Sequence, residues 1–174
     1  MRIVSKVLLA GCVKLFCMTE PDPLERTPLT FLLGMAFQLV LTEFVTKLDA
    51  IGYDDLRPIH GFVFQLLQGP GATSTELAGQ LGVTKQAAGQ IVDYLEGAGY
   101  VERRPYPLGG RRKLVVLTDK GREHMRTAGR TLAEIESRLA VSLDDEGLTA
   151  LRQELARVIR NIAGDDVPPL RPFW

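Results

Sequence analysis

From Thr27 onward, hydrophobic positions first come without a face, then recur every three or four residues, then every second residue, and finally every three or four again. The stretch LTFLLGMAFQLVLTEFVTKLDAIG, beginning at Leu29, is apolar on nearly every side until Glu43. A helix that is apolar all round is normally covered on all sides. In a small domain this points to a second subunit. Thr27 followed by Pro28 predicts the start of the helix: a hydroxyl cap, then proline where a missing N–H costs nothing. Gly52 predicts its stop. A second helix takes its cap from Asp54 or Asp55, with Pro58 in the first turn and His60, Phe62, Val63, Leu66 and Leu67 behind it. GPGA at 69–72 is a turn. Thr73, Ser74, Thr75 and Glu76 have the reciprocal spacing of a capping box and open a short third helix that runs to Gly82. Thr84 caps a fourth helix, which gathers Ala88, Ile91, Val92 and Leu95 on one side.

After Gly99 the period drops to two. YVERR alternates, PYPLGG is rich in turn formers, and KLVVLT is built of strand formers. Thr118 then caps a helix in which Ala128, Leu132, Ile135 and Leu139 recur at threes and fours. A last helix opens at Asp144, Asp145 and Glu146, acidic where its dipole favours acid, and carries Leu148, Leu151, Leu155, Val158, Ile159 and Ile162 as a stripe. The tail DDVPPLRPFW is proline-rich and predicted extended. Two short helices joined by a tight turn and followed at once by a hairpin make a winged helix-turn-helix. The fold class is therefore mainly α with a small β-hairpin wing, flanked by N- and C-terminal dimerisation helices.

Charge changes this picture only through its distribution. Lys plus Arg equals Asp plus Glu over the 174 residues, so the global balance says nothing about nucleic acid. From Thr84 to Arg122, however, eight cations (Lys85, Arg103, Arg104, Arg111, Arg112, Lys113, Lys120 and Arg122) meet four anions (Asp93, Glu96, Glu102 and Asp119), leaving +4. With the apolar side of the fourth helix turned inward, Lys85, Gln86, Gly89 and Gln90 face out, the two glutamines one turn apart. Gln can pair with adenine N6 and N7, and Lys with guanine or phosphate. Gly89, at roughly 1 kcal/mol of helix cost relative to Ala, removes a side chain where a duplex would come close. Arg111 and Arg112 beside Gly109-Gly110 suit phosphate forks or a narrow groove. Read blandly, the glutamines lie on a solvated face and the arginines blunt an exposed strand edge.

Other chemistries find little material. Cys12 and Cys17 are too few and too close together for a disulfide framework, and His60 and His124 are far apart, so neither a zinc site nor any other metal or cofactor is expected. Nucleophile elbow, phosphate-cradling glycine loop, HExxH and paired carboxylates are all lacking, which argues against an enzyme. LLAGC at 8–12 looks like a lipoprotein cleavage box, but the apolar run before Cys12 is shorter than the ~7–15 residues of a working signal core. Residues 1–26 are read as an extension, either an over-extended start ahead of Met18 or a poorly ordered segment, and the box as fortuitous. A cytoplasmic, nucleoid-associated protein with no membrane partner is expected. The domain spans 27–163, with dimerisation helices at about 28–51 and 119–163, the winged helix-turn-helix at about 55–118, and the tail at 164–174.

LRPIHGFVFQLL, STELAGQLGVTKQAAGQIVDYLEGAGYVERRP and GRRKLVVLTDKG, taken together and in order, resemble the MarR family of bacterial winged-helix regulators. The resemblance covers about residues 28–163. It implies a homodimer held by the first and last helices, here through Leu29, Leu32, Leu33, Phe37, Leu151, Leu155, Val158, Ile159 and Ile162. It implies binding to a pseudo-palindromic double-stranded operator, with repression relieved by a small, commonly aromatic ligand. The DNA-facing set is Thr73, Ser74, Thr75, Thr84, Lys85, Gln86, Gly89, Gln90, Arg103, Arg104, Arg111, Arg112 and Lys113. Phe37, Tyr53, His60, Phe62 and Phe64 could line a ligand pocket, although aromatic residues at such positions are more often plain core. One departure stands out: where the family's wing usually carries an Asp two residues before its arginine, this chain has Gly109 before Arg111. The alternative reading is a winged-helix module that binds only protein.

Overall fold

The computed structural model describes residues 22–107, 109, 112–168 and 170. The lipoprotein-like box, Cys12, Cys17, Met18 and Arg111 lie outside them. The chain divides into two compact units, Met1–Phe37 and Gln38–Trp174. The first contains a one-turn 3-10 helix, Pro23–Arg26, whose start is held by the Asp22 carboxylate accepting from Leu24 N–H at 3.0 Å. It also contains the opening turns of α1 (Leu29–Asp49). Thr27 does not cap α1. Its hydroxyl donates to the Pro23 carbonyl at 3.2 Å, and the Pro28 carbonyl takes the first helical N–H groups, from Phe31 and Leu32. The short preceding helix claims the hydroxyl, and the boundary moves by one residue.

The second unit follows the expected order: α2 (Pro58–Leu66), α3 (Ser74–Leu81), α4 (Lys85–Gly97), β1 (Val101–Pro105), β2 (Lys113–Leu117) and α5 (Asp119–Ala163). Neither Asp54 nor Asp55 caps α2. The Arg57 N–H donates to His60 Nδ1 at 3.1 Å, an imidazole serving where an acid was expected. Asp55 is used elsewhere: its carbonyl accepts from the Tyr94 hydroxyl at 2.5 Å and its carboxylate from the Tyr100 hydroxyl at 3.0 Å. The capping box at Thr73 forms as read, with Thr73 N–H donating to Glu76 at 2.7 Å and Glu76 N–H donating to the Thr73 hydroxyl at 3.2 Å. Gly82 closes α3 in the left-handed region at φ +70°. The core gathers Val63, Phe64 and Leu67 of α2, Leu77 and Leu81 of α3, Val92 and Leu95 of α4, and Tyr100, Val101, Val115 and Leu117 of the hairpin.

β1 and β2 pair antiparallel, from Val101 opposite Leu117 to Pro105 opposite Lys113. Ala72 adds a third rung by exchanging both backbone hydrogen bonds with Val115, at 3.1 and 2.8 Å. Gly71 allows this approach: its φ is +99°, and a Cβ there would strike the Val115 carbonyl and side chains of Leu114 and Val116. Thr118 joins the hairpin to α5. Its N–H donates to the Tyr100 carbonyl at 3.0 Å and its hydroxyl to the Gly99 carbonyl at 2.7 Å, while the same oxygen accepts from Gly121 N–H at 3.2 Å. Gly121 packs so tightly that a Cβ would run into the Tyr100 carbonyl.

α5 is interrupted at Asp144, whose φ of 54° is not helical and whose carboxylate accepts from Gly147 N–H at 2.7 Å. The last helix thus opens on the acid expected to open it. The interruption is a sharp bend. Arg152 reaches Glu136 at 2.6 Å, whereas sixteen residues of straight helix would span about 24 Å. Toward its C-terminal end α1 is tied to α5 by a two-pronged pair, Glu43 with Arg138 at 2.5 and 2.9 Å, and by Lys47 with Glu134 at 3.7 Å.

Leu48 is the only buried residue among those of α1. Leu29, Phe31, Leu33, Met35 and Leu39 of α1 are exposed, as are Leu151, Val158, Ile159 and Ile162 of α5, with Ile162 at 82%. Leu32, Phe37 and Leu155 are half-buried. By length and composition α1 could also cross a bilayer, with a mean hydropathy of 1.7 over an 18-residue window.

Candidate nucleic-acid interface

α4 is oriented by its apolar stripe. Ala88, Val92 and Leu95 are buried and Ile91 half-buried, as the spacing predicted, so the opposite face is left to Lys85, Gln86 and Gln90, all exposed. The Thr84 hydroxyl accepts from Ala87 N–H at 3.1 Å while staying exposed. Neither glutamine amide is engaged by another described residue. A Cβ at Gly89 would meet no atom within 4 Å, so nothing inside the chain requires glycine there. This face is an unsatisfied row of donors and acceptors, of the chemistry that base edges read.

At the start of α3, Thr73 is buried, and its hydroxyl accepts from Glu76 N–H and donates to the Glu76 carboxylate at 2.9 Å, so its one O–H is already engaged. The Thr73 N–H first, then the Thr73 hydroxyl, hold the Glu76 carboxyl below its ordinary range. Ser74 is half-buried and Thr75 exposed.

The cations sort into two groups. Arg103 is already engaged within the chain: its guanidinium donates to Asp93 at 2.5 Å and to Glu96, whose carboxylate also accepts from Arg103 N–H at 3.0 Å. Burial works against its charge, and the two acids outweigh that and raise its pKa. Arg103 is a clamp between β1 and α4, since two acids one helical turn apart present a matching fork to a planar guanidinium. Arg104 pairs with Glu102 at 2.5 Å, both exposed, and Arg122 with Asp119 at 2.8 Å. Lys120 donates to the Ala98 carbonyl at 2.8 Å and lies over the Tyr100 ring. All four acids of the segment are therefore used at the hairpin base and the start of α5. Lys85, Arg112 and Lys113 are exposed and make no ion pair among the described residues, and Arg112 lies near enough to Glu76 for its charge to help hold that carboxyl low. Among the described residues, the cations that pair with no acid are Lys85 in the first turn of α4, Arg112 and Lys113 at the outer end of the hairpin, and Lys120 at the start of α5.

Three residues bearing on this surface were not singled out by spacing. Tyr106 lies under Arg112, whose Cζ is 4.1 Å from the ring centroid. The Asp93/Glu96 fork decides which arginine is free. An aromatic residue between two prolines, and acids three apart on the helix before the strand, were the available signals.

Four of the five aromatic positions lie in the second unit, each with partners there. Phe64 is wholly buried and packs against Tyr100 and His124, at 5.7 and 5.0 Å between ring centroids. His60 is buried, caps α2 and stacks on Tyr94 at 5.0 Å. Tyr53 meets His124 edge-on at 4.6 Å, and Phe62 is half-buried against the core. Phe37 belongs to the first unit. Burial first, then the hydrogen bond to Asp55, pushes the Tyr100 phenol up. His124 Nδ1 is buried with no hydrogen-bond partner among the described residues, and burial holds both histidines below the ordinary 6.5.

Comparison with known proteins agrees with this architecture. The sequence profile of the MarR family matches residues 60–112. Uncharacterised proteins of Mycobacterium tuberculosis and Mycobacterium bovis are 32% identical over 87 residues, which is 50% of this chain and 61% of theirs. The transcriptional repressor CouR bound to a 23-mer DNA duplex is 31% identical, with a TM-score of 0.62 over 75% of this chain and 92% of that one. A Mycobacterium tuberculosis MarR family protein in complex with salicylic acid is 26% identical, with a TM-score of 0.60 over 78% and 98%. The winged-helix fold is held in common with these structures, and this chain belongs to the MarR family.

Proposed function

We propose that the chain is a sequence-specific, double-stranded-DNA-binding transcriptional repressor that works as a cytoplasmic homodimer and has no catalytic role. The observation that carries this is the pairing of an unengaged polar face on α4 with cations that the chain's own acids leave free. Gln86 and Gln90, flanked by Lys85 and opened by Gly89, would enter the major groove, while Arg112, Lys113 and Arg111 would grip phosphates. Arg104 can exchange its exposed partner for a phosphate at little cost, because such surface pairs are worth at most about 1 kcal/mol. The similarity to CouR in complex with a duplex supports the same reading.

Dimerisation is supported by the apolar side chains that a single chain leaves exposed on α1 and α5. Two copies would set the distance between two α4 helices, and half-sites one helical turn apart, about 34 Å, would fit only one such distance. Ligand control is supported by relatives solved with salicylic acid and, for CouR, with p-coumaroyl-CoA. A small aromatic acid is the corresponding effector class here, and Tyr53 and Phe62 keep partly exposed faces for it. Binding would shift the balance of two states by its difference in affinity for them.

Selection of bound duplexes from a random pool tests the reading. An inverted repeat with one-turn spacing is expected. No enrichment at low salt would refute DNA recognition, and enrichment of an unpaired half-site would refute the dimer.

A further inference from the structure

Arg112 is held differently from the other described arginines of the hairpin. Arg103 and Arg104 spend their guanidinium edges on carboxylates. Arg112 lies over the Tyr106 ring, with Cζ 4.1 Å from the centroid. A carboxylate holds an arginine by its in-plane N–H donors and cancels its charge. An aromatic face attracts the cation through the ring quadrupole and leaves the donors and the charge untouched. This kind of contact can aim a guanidinium without using it up.

The sequence builds the pair into the hairpin. Pro105 is opposite Lys113, so continuing the register by one step sets Tyr106 opposite Arg112. Directly opposed side chains on one face are close enough to interact. Tyr106 is framed by Pro105 and Pro107, and a following proline biases it toward extended backbone. Its carbonyl accepts from Gly109 N–H at 2.9 Å, and Gly109 takes the turn through φ +78°. Of the two side chains, the arginine has the greater rotamer freedom to lose.

Building on the DNA-binding reading above, we propose that Tyr106 is a positioning residue of the wing, presenting the free edge of Arg112 to a backbone phosphate.

Two measurements test this. In the free protein, the side-chain protons of Arg112 should show ring-current shifts by NMR in wild type and in Tyr106→Phe, and lose them in Tyr106→Leu. In anisotropy titrations with a mixed-sequence duplex at low salt, Tyr106→Leu should weaken binding about two- to fivefold, the range of an exposed cation–π contact. Tyr106→Phe should bind like wild type. In an Arg112→Ala background, Tyr106→Leu should have no further effect. Equal losses in both backgrounds would overturn the proposal, because the ring would then act on DNA or on the hairpin by itself. A loss in Tyr106→Phe would overturn it too, by assigning the work to the hydroxyl. A wild-type chain that binds no duplex would overturn both readings, and a ring-shifted Arg112 signal would then place the fault with DNA binding rather than with the stacking.

Discussion

Replacing Gly89 by alanine should move stability and DNA affinity in opposite directions. Gly89 sits inside α4, five residues into a helix of thirteen. A Cβ there meets no atom within 4 Å, so the methyl adds no clash, and the helix gains about 1 kcal/mol in propensity. For a domain of this size that raises the melting temperature by about 2–4 °C. On the proposed interface the same methyl is pushed into a contact made by bare backbone. Overfilling a close-packed contact costs about 1–3 kcal/mol, which weakens binding about five- to 150-fold. Thermal denaturation and an anisotropy titration on one preparation read both effects. Raised stability with unchanged affinity would refute the reasoning, since the duplex would then not approach α4 at Gly89. A fall in melting temperature would refute its first half, by showing that the site is not open.

Arg103→Ala should destabilise the chain by about 1 kcal/mol, by leaving Asp93 and Glu96 to repel each other on a partly exposed surface, without changing the salt dependence of DNA binding. A flatter salt slope would return Arg103 to the interface. Arg111→Ala combined with Arg112→Ala should flatten that slope by about two units, one per phosphate contact. Gln86→Ala should relax one base position in a randomised-operator selection, and an unchanged motif would refute that contact. Stability should fall as pH drops below the ordinary histidine value of 6.5. The unfolded chain takes up protons there that buried His60 and His124 refuse, so the unfolded state binds more protons and stability rises with pH through that window, then levels off above it. Urea melts from about pH 7.5 to about pH 5 measure the slope. His124→Phe should reduce it, because a phenyl ring fills the aromatic box without an unpaired nitrogen.

Local chemistry was the legible part of this protein. The caps at Thr73, Thr84 and Thr118 form as spacing predicted, because each needs only a hydroxyl and an N–H three residues on. The change of period after Gly99 located both strands for the same reason. Pairings made by tertiary folding were not legible. Counting charges set Arg103 beside Arg112 as equals, and only the turn at Gly99, which folds β1 back along α4, brings Arg103 onto Asp93 and Glu96. Asp55 looked like a cap, yet its carboxylate accepts from the hydroxyl of Tyr100, just ahead of β1, and its carbonyl from that of Tyr94 in α4, while the Arg57 N–H goes to His60. Thr73 was read as a surface hydroxyl because a capping box fixes its bonds but not its burial. In each case the residue type was informative and its partner was not.

The joint between the hairpin and α5 has a mechanical consequence. Three hydrogen bonds from Thr118 reach the backbone at Gly99, Tyr100 and Gly121, and Gly121 has no spare volume against Tyr100. That corner behaves as a weld, and the reading helix and its hairpin must travel with the first half of α5 as one piece. The helix path breaks farther along, at Asp144, so only the part of α5 before that residue is joined to the hairpin through unbroken helix.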